Sequence, residues 1–237
     1  MDIELVGTAA IYSKYHSACT LINEDMMVDM PNGTLKQLLR TGHDPKKINK
    51  ILITHLHGDH TADIPFFLMY LYKFNEMDRI TYIIGPSGLK NKISLMFESY
   101  CYHLDKIEQF IKFIELNPNE VLENTDIGYK IEAIPVSHGY IENPYGYIID
   151  DKLGFSGDSM LCEGVEKITE KSEIVVADCS NIEGTIAHMG IDNLKYLSEK
   201  YNRKIITTHI KDKTREELNR LELPNIISKE DGYKMKI

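Results

Sequence analysis

Short apolar or alternating runs at Asp2–Val6, Cys19–Ile22 and Met26–Met30, separated by turn formers, predict an opening antiparallel meander. Pro31-Asn32-Gly33 ends it, and Leu35, Leu38 and Leu39 then fall at helical spacing over Thr34–Arg40, stopped by Gly42. The period switches again at the apolar run Lys50–Thr54, a buried strand, and at Ala62–Phe74, a helix with a broad apolar face. Arg79–Ile84 reads as a strand, closed by Gly85-Pro86-Ser87-Gly88, and Leu89–Tyr100 as a helix. Phe110–Leu116 and Tyr129–Val136 read as strands, and Tyr145–Ile149 with Lys152–Ser156 as a hairpin around Asp150-Asp151. The rest predicts helix Leu161–Thr169, strand Glu173–Ala177, amphipathic helix Asp192–Tyr201, strand Lys204–Thr208, helix Lys213–Leu221 and one short edge strand in the tail.

Strands come first, then β-α alternation, then a second round of both, with no linker, low-complexity tract or short-period repeat. That order predicts one mixed α/β (α+β) domain over residues 1–237: a four-layer αββα sandwich with two sheets face to face and helices outside.

An apolar content of 43% is enough for a substantial core, and a formal charge of −9 argues against a general nucleic-acid binder. It leaves room for a small anionic substrate if a metal pair supplies local positive charge. Cys19, Cys101, Cys162 and Cys179 are widely spaced with no CxxC pair, which predicts free thiols in a reducing cytoplasm. The start lacks the basic and apolar regions of a signal peptide, and the longest apolar run, Phe66–Tyr72, is too short to span a bilayer. A soluble cytoplasmic protein is the expectation.

The candidate chemistry lies in Thr54-His55-Leu56-His57-Gly58-Asp59-His60, directly after the strand Lys50–Thr54. A loop at a strand end can turn His55, His57, Asp59 and His60 toward one centre, and imidazole and carboxylate are the ligands zinc takes. Three of the chain's nine histidines fall in the six positions His55–His60, so a merely polar surface loop explains the stretch poorly. Further candidates follow other predicted strands: His138 after Ile134-Pro135-Val136, Asp158 after Phe155-Ser156, Asp178 after Val176-Ala177 and His209 after Thr207-Thr208. A lone histidine after a strand is more often a hydrogen-bonding residue, but four such events beside the cluster point to two adjacent metal sites.

The order His55-x-His57-x-Asp59-His60, then His138, Asp158 and His209, resembles the metallo-β-lactamase fold superfamily of hydrolases over nearly the whole chain. Tyr82–Gly88 and Ser156-Gly157-Asp158-Ser159 look most like its ribonuclease Z and phosphodiesterase branch. The resemblance implies one metal on His55, His57 and His138, a second on Asp59, His60 and His209, Asp158 bridging them, and Asp29 as a buried support. It implies two divalent ions, zinc by default with manganese or iron as alternatives, and a metal-bridging hydroxide as nucleophile oriented by Asp59. In that branch a histidine placed like His188 works with an acidic residue, here Asp178, where the branch usually has glutamate; His188 would donate the leaving-group proton while Asp178 holds its ring.

Ribonuclease Z carries a long basic, glycine-rich arm for transfer RNA, in many bacterial members between the positions matching His138 and Asp158, where this chain has only a hairpin. The expected substrate is therefore a small phosphodiester or nucleotide-type molecule rather than transfer RNA. Histidine rather than glutamate at His57 tells against the oxygen-reducing di-iron relatives. An esterase, lactonase, thioesterase or arylsulfatase on the same dinuclear site, or a non-catalytic metal-binding module, are the competing readings, and a homodimer is common among relatives. Gly85–Gly88 is either a phosphate cradle at a helix start or an ordinary turn capped by Ser87. His16, His43 and His103 read as surface or loop residues, Cys101 and Cys179 as small buried apolar ones, and Lys211–Glu217 as a solvated helix start.

Overall fold

The structure, a computed structural model, describes residues 1–74, 79–221 and 223–237. The chain folds into two compact units, the first formed by Met1–Val6, Cys19–Leu116 and Gly232–Ile237 and the second by Gly7–Ala18 and Asn117–Asp231.

The first unit holds strands β1 (Asp2–Gly7), β2 (Cys19–Ile22), β3 (Met26–Val28), β4 (Lys50–Leu52), β5 (Thr81–Pro86) and β6 (Ile111–Leu116). Its helices are α1 (Thr34–Arg40), the single turn α2 (Gly58–Thr61), α3 (Ile64–Lys73) and α4 (Leu89–Ser99). In the second, β7 (Val121–Asn124), β8 (Tyr129–Pro135), β9 (Tyr145–Ile149), β10 (Leu153–Phe155), β11 (Ile174–Asp178), β12 (Lys204–Thr208) and β13 (Ile226–Ile227) accompany α5 (Glu163–Lys171), α6 (Ile191–Tyr201) and α7 (Asp212–Leu221). The last strand, β14 (Tyr233–Lys236), returns to the first unit.

Each unit is built on one seven-stranded sheet, in the orders β14-β1-β2-β3-β4-β5-β6 and β13-β12-β11-β10-β9-β8-β7. In both sheets antiparallel pairs give way to parallel ones joined through helices, from β3 onward in the first and from β10 onward in the second. This is the repeated strands-then-alternation order of the sequence. Helix–sheet packing makes each core: Phe67, Leu68, Ile93 and Phe97 lie in one apolar cluster with Ile51, Ile53 and Ile83. Val165, Ile168, Leu194 and Leu197 do the same with Ile148, Val175 and Ile205. Glycine permits one of these contacts, because a Cβ on Gly164 of α5 would lie 2.0 Å from the Pro135 carbonyl at the end of β8.

Some expectations change. The helix expected over Ala62–Phe74 starts two residues later, as α3 from Ile64, since Pro65 sits in its first turn and the carboxylate of Asp63 instead accepts the N–H groups of Gly33 and Leu35 at the start of α1. Strand β7 was not anticipated; it is a short, half-exposed edge strand whose pairing with β8, rather than any apolar alternation, defines it. The tail supplies two strands, one at the edge of each sheet. Ser87 does not cap α4: Gly88, at φ +90, occupies the N-cap. Cys101 is exposed, in a left-handed turn after α4, whereas Cys179 is buried. His43 is held by Glu4 at 3.1 Å rather than lying free on the surface. Arg215 within the charged α7 is buried, donating to Thr8 Oγ1 and the Lys229 carbonyl over the face of Tyr15. No helix among the described residues is long and apolar enough to cross a membrane.

Candidate metal centre

In the first unit the candidate residues gather at the carboxyl ends of β3 and β4, where the chain leaves parallel strands. Asp29 follows β3 in the left-handed region (φ 60), a conformation that costs a non-glycine residue on the order of 1–3 kcal/mol. It is held there by four hydrogen bonds. Its N–H donates to the Leu52 carbonyl at 2.8 Å, and its carboxylate accepts from Thr54 N–H (2.9 Å), Thr54 Oγ1 (2.8 Å) and the ring of His60 at Nδ1 (2.7 Å). Because Thr54 spends its hydroxyl proton on Asp29, its oxygen accepts from His55 Nδ1 at 3.1 Å.

This buried relay fixes the two rings. With Nδ1–H committed, His55 and His60 each present Nε2, the tautomer a metal ligand needs. His57 Nδ1 lies 3.0 Å from His55 Nε2, close to the roughly 3.3 Å between two nitrogens about 2.0–2.1 Å from one tetrahedral ion. Asp59, in the first turn of α2, places Oδ2 3.8 Å from His60 Nε2.

The second unit assembles its own cluster at the ends of β8, β10, β11 and β12. His138 donates through Nδ1 to the Ala187 carbonyl at 2.7 Å, and His209 Nδ1 lies 3.1 Å from Ser180 Oγ. Both therefore turn Nε2 toward the same oxygen, Asp158 Oδ2, at 3.9 and 3.2 Å. His209, like Asp29, is held at positive φ (51). His188 lies beside them, its ring stacked on that of His209 with centroids 5.1 Å apart.

Asp178 is fully buried, yet its carboxylate accepts from Ser180 N–H (2.9 Å), Ser159 N–H (3.1 Å) and His188 Nδ1 (2.8 Å). Burial pushes its carboxyl above the usual range, with the His188 contact opposing. The aspartate therefore reaches His188 despite being one methylene shorter than glutamate. Burial likewise pushes the neighbouring Cys179 thiol up, so that side chain acts as a small apolar residue.

The donor set fits divalent metal. Donor atoms of Asp158, Asp178, His188 and His209 all lie within 4.8 Å of one another. Two carboxylates packed this closely in a dry environment are costly without a cation or protons to balance them. Imidazole nitrogens held by hydrogen bonds at their far side, combined with carboxylate oxygens, are the pattern of zinc and related ions. Thus every candidate lies in one of two clusters: His55, His57, Asp59 and His60 in the first unit, and His138, Asp158, Asp178, His188 and His209 in the second. Sequence reasoning missed Thr54, Ser180 and the Ala187 carbonyl. Thr54 and Ala187 each adjoin a candidate in the chain and Ser180 lies two positions from Asp178, and that proximity is the signal that marks them. His16 and His103 join neither cluster, and His103 is exposed.

Comparison with other proteins places the chain in a family and a fold. A family model described as "Anti-Pycsar protein Apyc1" matches residues 1–233. Ribonuclease Z of Pediococcus pentosaceus is 31% identical over 160 residues, covering 64% of this chain and 50% of that protein, so the chain matches only about half the length of this relative. Among solved structures, a diphosphatase from the PhnP family superposes with a TM-score of 0.80 at 19% identity, covering 100% of this chain and 97% of the other. The metallo-β-lactamase fold protein YhfI from Bacillus subtilis gives 0.77 at 16% identity, covering 99% and 98%. The chain therefore has the metallo-β-lactamase fold, with ribonuclease Z among its relatives, and it belongs to the family of the anti-Pycsar protein Apyc1.

Proposed function

We propose that residues 1–237 act as one metal-dependent hydrolase domain in a reducing cytoplasm, a phosphodiesterase for a small phosphodiester or nucleotide-type substrate. The observation that carries the reading is the pairing of two features in one cluster: His138 and His209 directed at Asp158, and beside them His188 hydrogen-bonded at 2.8 Å to the buried Asp178. The first is a metal-ligand arrangement; the second is an acid–base pair that a metal-binding module alone does not need.

In this reading His55, His57 and His138 would hold one ion and Asp59, His60 and His209 a second, with Asp158 available to either. Two ions held there, zinc by default, would polarise a phosphoryl oxygen and bring a bound water to a pKa near neutrality. The chain's own groups do the rest. Asp29, Ser180 and the Ala187 carbonyl orient the rings of His60, His209 and His138. Asp59 orients the attacking water, and His188, fixed through Nδ1 by Asp178, offers Nε2–H to the departing alkoxide, a step worth about 10²–10⁴-fold. The short hairpin β9–β10 between His138 and Asp158 and the charge of −9 support a small substrate over a folded RNA.

The test is hydrolysis of bis(p-nitrophenyl) phosphate by protein of measured metal content, with Asp59→Ala and His188→Ala alongside. Turnover requiring about two ions per chain, abolished by Asp59→Ala, supports the reading. For an alkyl leaving group, His188→Ala should lower kcat by about 10²-fold or more without loss of metal. Full metal occupancy with no phosphodiester turnover would sink it.

A further inference from the structure

Two exposed apolar side chains of the second unit sit within two positions of groups in the candidate centre. Tyr140 is 95% exposed and follows His138 by two residues; Ile186 is 65% exposed and precedes His188 by two. Isolated exposed apolar residues are ordinary on protein surfaces. These two are not isolated, because the turns that carry them are tied together.

Residues 138–141 form a tight turn closed by Ile141 N–H on the His138 carbonyl at 3.0 Å, with Tyr140 at its tip. Residues 185–188 form a second, closed by Thr185 N–H on the His188 carbonyl at 2.8 Å, and Thr185 Oγ1 accepts from the N–H groups of Ala187 (3.3 Å) and His188 (3.1 Å). Ile186 is at its tip. Gly139 N–H donates to the Ile186 carbonyl at 3.1 Å, and His138 Nδ1 donates to the Ala187 carbonyl at 2.7 Å. A Cβ on Gly139 would meet Ala187 Cβ at 3.7 Å, ordinary van der Waals contact, so the two turns pack as one piece. The hydrogen bonds that tie this double turn come from its own residues, while Tyr140 and Ile186 are left facing water.

We propose that Tyr140 and Ile186 form a binding lip for an aromatic substituent on the phosphoester substrate, on the side of the leaving group. This rests on the phosphodiesterase reading for the position of the scissile bond. His188 Nδ1 is fixed on Asp178, so its other ring nitrogen addresses the leaving oxygen, and Ile186 is two residues away on the same tight turn. Whatever the leaving oxygen is attached to therefore extends past this double turn. A tyrosine ring beside a branched aliphatic side chain offers a planar group stacking area on one side and apolar contact on the other, without fixing its hydrogen-bonding pattern. A substituent of methyl size gains little there, so the lip selects for ring-bearing esters.

The test compares phenylphosphonate with methylphosphonate by calorimetric titration of the zinc-loaded protein, beside kinetics on methyl p-nitrophenyl phosphate. Wild type is expected to bind phenylphosphonate roughly tenfold tighter than methylphosphonate, the size of one aromatic stacking contact. In Tyr140→Ala and Ile186→Ser that preference shrinks severalfold, and Tyr140→Phe restores it. In turnover, Tyr140→Ala raises KM severalfold with kcat within about twofold. A phenyl preference absent from wild type, or unchanged in both variants, overturns the lip. Absent turnover with the phenyl preference present and lost in Tyr140→Ala refutes the phosphodiesterase reading and leaves the aromatic lip standing.

Discussion

At the scale of single residues, buried carboxylates in this molecule are placed by their donors. Asp29, Asp158 and Asp178 are each nearly or fully excluded from water, and Asp29 and Asp178 each take at least three donated hydrogen bonds, which is why they persist in a dry interior. Glu132 on β8 shows the same principle away from the centre, at a site open to a clean test. Burial pushes its carboxyl up, but Lys167 and Lys171, both 3.0 Å away, pull it down further and leave it below the usual carboxylate range. A depressed carboxyl stabilises the fold fully above its unfolded pKa of about 4.3 and loses that contribution as pH falls through the folded value. Glu132→Gln is expected to cost about 1 kcal/mol at pH 7, discounted because both lysines are partly exposed. Urea unfolding of both proteins from pH 7 to pH 3 checks this: the gap between them should close below about pH 4.

At the scale of elements, the amphipathic helices were legible because their apolar residues recur at helical spacing. Leu194 and Leu197 on α6 and Val165 and Ile168 on α5 all reach the second core. Their closest approach to the sheet was not legible, since glycine carries no apolar signal. Gly164→Ala makes the point quantitatively. Alanine gains at most about 0.5–1 kcal/mol over glycine at this position in the first turn of α5, but the new methyl would stand 2.0 Å from a backbone oxygen that cannot swing away. Overpacking of this kind costs about 1–3 kcal/mol, so the substitution is expected to destabilise by about 1–2 kcal/mol net, read as a lower urea midpoint at unchanged slope. An equal or higher midpoint would mean that α5 shifts away from β8 at little cost. The missed strand β7 and the later start of α3 at Ile64 have the same origin: backbone pairing and the use of Asp63 by α1 decided them.

At the scale of the whole molecule, each unit has its own sheet and apolar cluster, and each ends several of its strands in ligand-type side chains. Under the proposed function, bound metal adds to the stability of the folded chain through mass action. At an ion concentration a thousandfold above Kd this is worth about 4 kcal/mol, or a shift of roughly 10 °C for a chain of this size. Stripping metal with EDTA is expected to lower the thermal midpoint by about that much, and added zinc should restore it. A midpoint indifferent to both treatments would count against tight metal binding.

The sequence by itself determined the element order, the repeated strand-then-helix plan and the identity of the ligand candidates, because these rest on local periodicity and on a rare residue cluster. Asp178 and His188, ten positions apart, were paired by resemblance, but whether an aspartate could span the gap was decided by where β11 ends and the turn at 185–188 returns. The tautomers of His55, His60 and His138 were likewise set by partners such as Thr54, Asp29 and the Ala187 carbonyl. So was the burial of Arg215, a residue that reads as solvated on its own helix and is held by Thr8 and Tyr15, about two hundred positions away, and by the Lys229 carbonyl. Hydrogen bonds between distant segments have no period in the chain, and only the tertiary structure brings their partners within reach.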